Sequence, residues 1–446
     1  MNDTPIMRII DNDNEMYVKR DDLLPFSFGG NKVRIANIFI DDMKNQHKNC
    51  MVGYGNSRSN LSRALSNICY QQKIPCHIIS PADDDGVRVD TFNSRIVKNC
   101  GAIFHYCDKD NVRETVENVF SDLKIQGYDP YYIYGDSTGK GNEQTPLKAY
   151  AQVYEDIRDK FDYIFLATGT GMTQGGLLAG QALYGGKEKI IGISVARDSE
   201  KEVEIIRKSL RSYSEKVESI KIPSITVLDD YICGGYGKCN NGIEDTINFQ
   251  MKVNGLPLDP TYTGKAFYGM SEYLKKNNIK GKKILFIHTG GTPLYFDYLL
   301  KLHLKSPRNS DSVYDAVSRL EGELTPSLSC RNINLRQYSN KLFDNGRVWI
   351  HYDIEKPISI IAGYFNDNNT KIAYLSMLAV EDEYRGKHLA SELMSEFEDY
   401  ANKTGMQSVK LEVRKNNDVA LTFYKKHKYK IIGEASESSY YMIKNI

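Results

Sequence analysis

The chain has 446 residues, of which 41% are hydrophobic and 26% charged, and its 58 basic and 57 acidic side chains leave a net charge of +1. That length exceeds what one hydrophobic core usually organises, so two or three domains are expected. The charge balance excludes the strongly electropositive face that nucleic-acid binding usually needs, and no apolar run reaches the roughly 18 residues of a membrane span. The opening "MNDTPIMRIIDNDNEMYVKRDD" has no basic-then-apolar leader, so a cytoplasmic protein without a membrane segment is expected. Eight cysteines without a CxxC pair argue against structural zinc or a dithiol motif; reduced thiols and no metal are expected.

In chain order, the first informative stretch is "SFGGNKVR", Ser27 to Arg34. It sets two glycines, an asparagine and a lysine at a helix start, where a backbone comes close to something flat or anionic. Lys32 so placed is a candidate Schiff-base amine, although a single lysine is ordinarily a solvated side chain. Next, "GYGNSRSNLSR" follows the strand candidate "CMVGYG" and offers Arg58, Ser59 and Asn60 at a helix start, which alone reads as an N-cap.

The runs "PCHIIS", "AIFHYC", "YIFLAT", "IIGISVA" and "ILFIHTGG" then alternate with polar segments of helical length. Most are apolar throughout, as parallel strands covered on both faces are, and sites in such sheets lie at the strands' carboxyl ends. After one of them, "LATGTGMTQGGLLAG" turns through Gly and Thr into a small-residue helix. Such a turn aims backbone N–H groups at an anion. Without GK[ST], and with no register for GxGxxG, it suits a single phosphate better than a nucleoside triphosphate or dinucleotide.

The polar segment Lys305 to Ser329 interrupts the strand rhythm. A first domain of two α/β subdomains is expected over 1–310, a linker over 311–320, and a second, α+β domain over 321–446. In the latter a helix around "NLRQYSNKLF" precedes strands "GRVWIHYDI", "ISIIAGYF" and "IAYLSMLAV" and a helix near "YRGKHLASELMSEFEDYA". The helix opening at Arg385-Gly386-Lys387-His388-Leu389-Ala390 can accept a pyrophosphate on its N–H groups. Farther on, "LEVRKNNDVALTFYKKHKYK" gives a strand and then Asn417, Ala420 and Tyr424 at helical spacing.

The ordered motifs "FGGNKVR", "SNLSR", "GTGMTQGGL", "GGYG", "LDPTYTGKAFYGM" and "ILFIHTGG" resemble the fold type II pyridoxal-phosphate enzymes over nearly all of residues 1 to 300. Within that group the resemblance is to the D-cysteine desulfhydrase and 1-aminocyclopropane-1-carboxylate deaminase family. It implies that Lys32 holds the cofactor and moves the substrate α-proton, and that Asn60 bonds the cofactor's phenolic oxygen. Gly169, Thr170, Gly171, Met172 and Thr173 would cradle its phosphate, and Thr289 would face its ring nitrogen. Ser59 would lie at the substrate carboxylate and α-carbon, with Tyr236 and Tyr262 as the two active-site tyrosines. Thr263 stands where the deaminases have glutamate and the desulfhydrases threonine, which points to β-elimination from a D-amino acid. Arg58 replaces the usual glutamine and Leu61 a usual Gln or His, so Arg58 at the mouth is expected to bind a second substrate anion.

Residues 321 to 446 resemble the GNAT acetyltransferases. There Arg385 to Ala390 would bind the pyrophosphate of acetyl-CoA, Asn417 would lie near the pantetheine arm, and Tyr424 would protonate the departing thiolate. His388 and Lys428 stand where that pattern has glycines. The expectation is a bifunctional, homodimeric lyase and N-acetyltransferase. Alternatives are a β-replacement synthase or racemase whose product is acetylated, and a non-catalytic small-ligand regulator.

Overall fold

The apolar runs become parallel strands because side chains on both faces are covered: Ile164, Phe165 and Leu166 of the strand Tyr163–Thr168 have no exposed surface. The computed structural model describes residues 3–10, 13–82, 89–300, 303–307, 309–353 and 355–446. The chain forms two compact units, Met1–Tyr298 and Leu299–Ile446.

The first unit holds two sheets. One has the strand order Ile6–Arg8, Glu15–Lys19, Lys283–Ile287, Tyr163–Thr168, Lys189–Ser194, Thr226–Leu228, parallel except for the antiparallel hairpin formed by the first two. The other is all parallel, in the order Ile103–Cys107, Cys76–Pro81, Cys50–Tyr54, Pro130–Tyr132. All six runs read as strands from the sequence are strands. The three-residue strands Ile6–Arg8, Pro130–Tyr132 and Thr226–Leu228, too brief for a pattern to register, and Glu15–Lys19, which begins and ends in charged residues, are additions.

The second unit is a mixed seven-stranded sheet in the order His303–Lys305, Arg347–Asp353, Lys356–Tyr364, Ile372–Val380, Ser408–Arg414, Ser439–Asn445, Lys430–Ser436. Its parallel neighbours Ile372–Val380 and Ser408–Arg414 pair only from Ile372↔Ser408 to Leu375↔Leu411. Beyond that point no further pairs form between them.

The expected linker over 311–320 is corrected. Ser310–Leu320 is a helix capped by Asn309, whose side chain accepts from Ser312 N, and Val313, Ala316, Val317 and Leu320 are buried in this unit's core. Those four residues follow the i, i+3, i+4, i+7 stripe of an amphipathic helix, which the segment's polar composition concealed. The unit boundary falls earlier, after Tyr298.

Candidate active site

Lys32 is the second residue of the helix Asn31–Asn45, which starts directly after Gly30 at φ +97°. Gly30 N donates to Asp21 O at 2.7 Å and Asn31 N to Thr289 O at 3.0 Å. A Cβ on Gly30 would sit 3.0 Å from Thr289 O, and one on Gly290 only 2.5 Å from Gly30 Cα. Gly30 therefore approaches the backbone that follows the strand Lys283–Ile287, while Gly29 packs against the backbone of Asp21 and Asp22. The consequence is that Lys32 and Thr289 share one wall.

That wall belongs to a cavity of about 400 Å³, which Lys32, Ser59, Asn60, Gly169 to Thr173, Tyr236, Tyr262 and Thr289 all line. The turn after Thr168 feeds the helix Met172–Tyr184 through Gly171 at φ +69°, and no side chain caps that helix. The Gly171 N–H is taken by the Glu202 carboxylate, and the N–H groups that follow it, which carry the positive end of the helix dipole, are left for a ligand. Asn31 Nδ2 donates to Thr173 Oγ1 at 2.7 Å, tying this turn to the Lys32 helix, and Lys32 Nζ lies 3.9 Å from Met172 Sδ. Burial lowers the Lys32 amine to about 8, opposed by the charge of Glu202. Glu202 is fully buried, accepts from Thr168 Oγ1 at 2.9 Å and pairs with Arg197 Nη1 at 3.2 Å; burial raises its carboxyl.

Ser59 caps the helix Asn60–Gln71, its Oγ accepting from Ser62 N at 3.1 Å, so the ordinary N-cap reading holds alongside its place in the cavity wall. Asn60 Oδ1 accepts from Asn93 Nδ2 at 3.0 Å and Arg63 Nη2 at 3.5 Å. With its oxygen so committed, the Asn60 amide presents Nδ2 as its remaining donor. Arg63, itself fully buried, also bonds Ser27 Oγ and Gly29 O, locking this helix start to the turn before Lys32. The hydroxyls of Tyr236 and Tyr262 are hydrogen-bonded, with rings edge to face at 5.5 Å. Burial, followed by the neighbouring Tyr262, keeps the Tyr236 phenol well above its ordinary value.

Two residues expected at the substrate, Arg58 and Thr263, stand outside the cavity lining. Arg58 is not among the cavity-lining residues; its Nε sits where a Cβ on Gly237 would come within 3.0 Å. Thr263 is fully buried and engaged with Asp259: Oγ1 donates to Asp259 Oδ2 at 2.8 Å and accepts from Asp259 N at 2.8 Å. Asp259 also accepts from the backbone N–H groups of Thr261 and Tyr262, so this pair shapes the turn that carries Tyr262. The cavity arginine is Arg197, just past the strand Lys189–Ser194. The rule that sites lie at strand carboxyl ends pointed to it; the lack of a motif around it let it pass unnoticed.

In the second unit the two strands whose pairing ends early lead to the other predicted residues. The strand Ile372–Val380 leads to Arg385, Gly386 and Lys387 and then to the helix Leu389–Lys403, which no side chain caps. His388 is its N-cap, at φ +63°. The strand Ser408–Arg414 leads to Asn417, whose side chain accepts from Ala420 N at 3.0 Å as cap of the helix Asp418–Lys426. Tyr424 on that helix is buried, which raises its phenol and keeps it protonated. Ser391 and His427, 3.1 Å apart, join the two helices.

Comparison with known proteins followed the same division. The family described as "Pyridoxal-phosphate dependent enzyme" matches residues 2–290, and the "Acetyltransferase (GNAT) family" matches residues 314–429. The 1-aminocyclopropane-1-carboxylate deaminase of Bradyrhizobium sp. is 26% identical, covering 64% of this chain and 88% of its own. The D-cysteine desulfhydrase of Klebsiella pneumoniae is also 26% identical, covering 64% and 89%. A crystal structure of an ACC deaminase homologue superposes with TM-score 0.59 at 26% identity, covering 67% of this chain and 92% of its own.

The donor set fits pyridoxal phosphate: one cavity wall holds an amine of lowered basicity, an amide N–H donor and an uncapped helix start suited to a phosphate. The uncapped start of Leu389–Lys403, after a strand whose pairing ends early, likewise fits the pyrophosphate and pantetheine of acetyl-CoA.

Proposed function

Since the chain belongs to the pyridoxal-phosphate dependent enzyme family and carries a GNAT acetyltransferase domain, we propose that it is a bifunctional enzyme. Its first activity is β-elimination from a D-cysteine-like amino acid, releasing ammonia and a 2-oxo acid; its second is N-acetylation of a small amine from acetyl-CoA. The observation that supports this most is that Lys32 and the hydrogen-bonded Tyr236–Tyr262 pair line one cavity.

When bound, pyridoxal phosphate supplies an aldehyde that takes up an amino group and a ring that accepts electron density from the α-carbon. Lys32 is the residue that holds it and then takes the α-proton, a task eased because burial shifts its amine toward neutrality. The backbone of Gly169 to Thr173 would cradle the phosphate, with the Gly171 N–H held by Glu202, and the Asn31–Thr173 bond keeps this turn in register with Lys32. Asn60, oriented by Asn93 and Arg63, donates to the ring's oxygen. Thr289, on the cavity wall, would offer the ring nitrogen a neutral partner rather than a carboxylate. Ser59 Oγ accepts from Ser62 N, which directs its own hydrogen away from the cap, toward a substrate carboxylate. Of the two phenols, one donates its proton to the departing sulfur and the other replaces that proton through their shared hydrogen bond. In the second domain the N–H groups of Arg385 to Ala390 bind pyrophosphate, Asn417 meets the pantetheine arm, and Tyr424 returns a proton to the thiolate.

A second reading is β-replacement or racemisation acting on a substrate with a second anion. Arg197 on the cavity wall favours it, since beyond its α-carboxylate cysteine has no second anion for an arginine to bind.

The test is a panel of D- and L-amino acids given to the loaded full-length protein, followed by mass spectrometry of the products. Sulfide, ammonia and pyruvate from D-cysteine, lost in Lys32→Ala, support elimination. Turnover confined to dianionic amino acids favours the second reading, and no turnover of any member sinks both. A homodimer is proposed from family likeness alone and is checked by sedimentation.

A further inference from the structure

Lys265 is among the largest fully buried side chains of the molecule, yet it carries an amine. Its Nζ donates to three backbone carbonyls: Ile232 O at 2.7 Å, Gly235 O at 2.7 Å and Val195 O at 3.1 Å. Two of those carbonyls belong to the turn that carries Tyr236; the third follows the strand Lys189–Ser194 and its residue lines the cavity. The turn has little to hold its own shape. Cys233, Gly234, Gly235 and Gly237 all have positive φ, at 56°, 81°, 134° and 78°, and glycine loses more conformational freedom on ordering than any other residue. Lys265 lies on the helix Thr263–Lys276, whose N-cap is Tyr262. One rigid helix therefore carries one phenol and grips the turn bearing the other.

We infer that the Lys265 ammonium is a positioning group, an internal cation that fixes the turn Cys233–Gly237 and so holds the Tyr236 phenol against Tyr262 at the cavity. Three carbonyl dipoles converging on one ammonium are charge-assisted hydrogen bonds, the stronger kind in a buried setting. Around the amine stand Cys233 and Cys239 from the turn and its continuation, and Asp259 from the loop before the helix. The effect on turnover rests on the lyase reading proposed above; the effect on the turn does not.

The experiment compares the full chain, loaded with cofactor, as wild type, Lys265→Met and Lys265→Ala. Lys265→Met fills the same space without N–H donors and serves where Lys265→Ala folds poorly. Hydrogen–deuterium exchange of peptides covering 232–238 should rise in both variants. Turnover of the best substrate should fall by about 100-fold in kcat with a much smaller change in KM, as a displaced catalytic group gives. Methylammonium, which replaces the missing Cε–Nζ, should restore at least about ten-fold of the loss in Lys265→Ala. It should restore nothing in Lys265→Met, and tetramethylammonium, with no N–H, should restore nothing in either. Wild-type exchange in the turn of Lys265→Met, or kcat within about three-fold of wild type, overturns the proposal. An equal response of Lys265→Ala to both cations, a bulk salt effect, also overturns it. If the unaltered chain turns over no amino acid while exchange responds as described, the lyase reading fails and the clamp stands.

Discussion

Gly30 and Gly290 meet backbone to backbone: a β-carbon built on Gly290 would lie 2.5 Å from Gly30 Cα, closer than real β-carbons pack. This contact joins the segment that launches the Lys32 helix to the loop that bears Thr289, both on the cavity wall. Gly290→Ala, at φ +100°, adds a left-handed strain to that clash and should cost about 2–5 kcal/mol. Urea unfolding measures it, and cofactor absorbance should weaken in parallel. A cost under about 1 kcal/mol would mean the two segments part freely.

The Lys32 amine is held at about 8 against an ordinary 10.5. Uptake of pyridoxal phosphate by cofactor-free protein should therefore accelerate with pH around a midpoint near 8. The sign for stability follows from the lowered value. Below about 8 both folded and unfolded chains carry the proton; between 8 and 10.5 only the unfolded chain does, so this group's contribution to stability rises with pH across that window. Denaturation at several pH values, wild type against Lys32→Ala, isolates the contribution; a flat difference refutes it.

Tyr236 and Tyr262 act as one hydrogen-bonded pair, so their removal should not add. Tyr236→Phe and Tyr262→Phe should each lower kcat by about 100-fold, and the double variant should be little worse than the poorer single one. Independent losses that multiply would show that the phenols serve separate steps.

Thr263 sits against Asp259 in the interior. Thr263→Ser keeps both bonds and should leave activity and stability near wild type. Thr263→Val leaves buried Asp259 short of a donor and should cost about 1–3 kcal/mol, with the substrate order unchanged. A switched substrate preference in a stably folded Thr263 variant would put the residue back at the substrate.

His388 and Lys428, the two residues that replace glycines in the GNAT pattern, both adopt the glycine conformation, at φ 63° and 71°. His388→Gly and Lys428→Gly should each stabilise the chain by roughly 1 kcal/mol, seen in thermal unfolding. His388→Gly also removes a side chain from the start of the Leu389–Lys403 helix, so calorimetry should find acetyl-CoA bound more tightly. Weaker binding would show that the imidazole itself serves the phosphates.

Much of this protein was readable without coordinates. Runs such as "YIFLAT" declared buried parallel strands because apolarity on both faces is a local property, and the Gly/Thr stretch at 169–173 declared a strand-to-helix turn because its glycines set the backbone locally. The order of the motifs was enough for the family and its two cofactors. The partner of each polar side chain was a different matter. "SRSN" does not say that Arg58 turns toward Gly237 while Arg197, some 140 residues later, meets the cavity, nor does "TYTGK" say that Thr263 and Lys265 point inward to Asp259 and to three carbonyls. Those choices depend on which distant segment arrives to desolvate a group and offer it a bond, and only the closed tertiary structure brings such segments together.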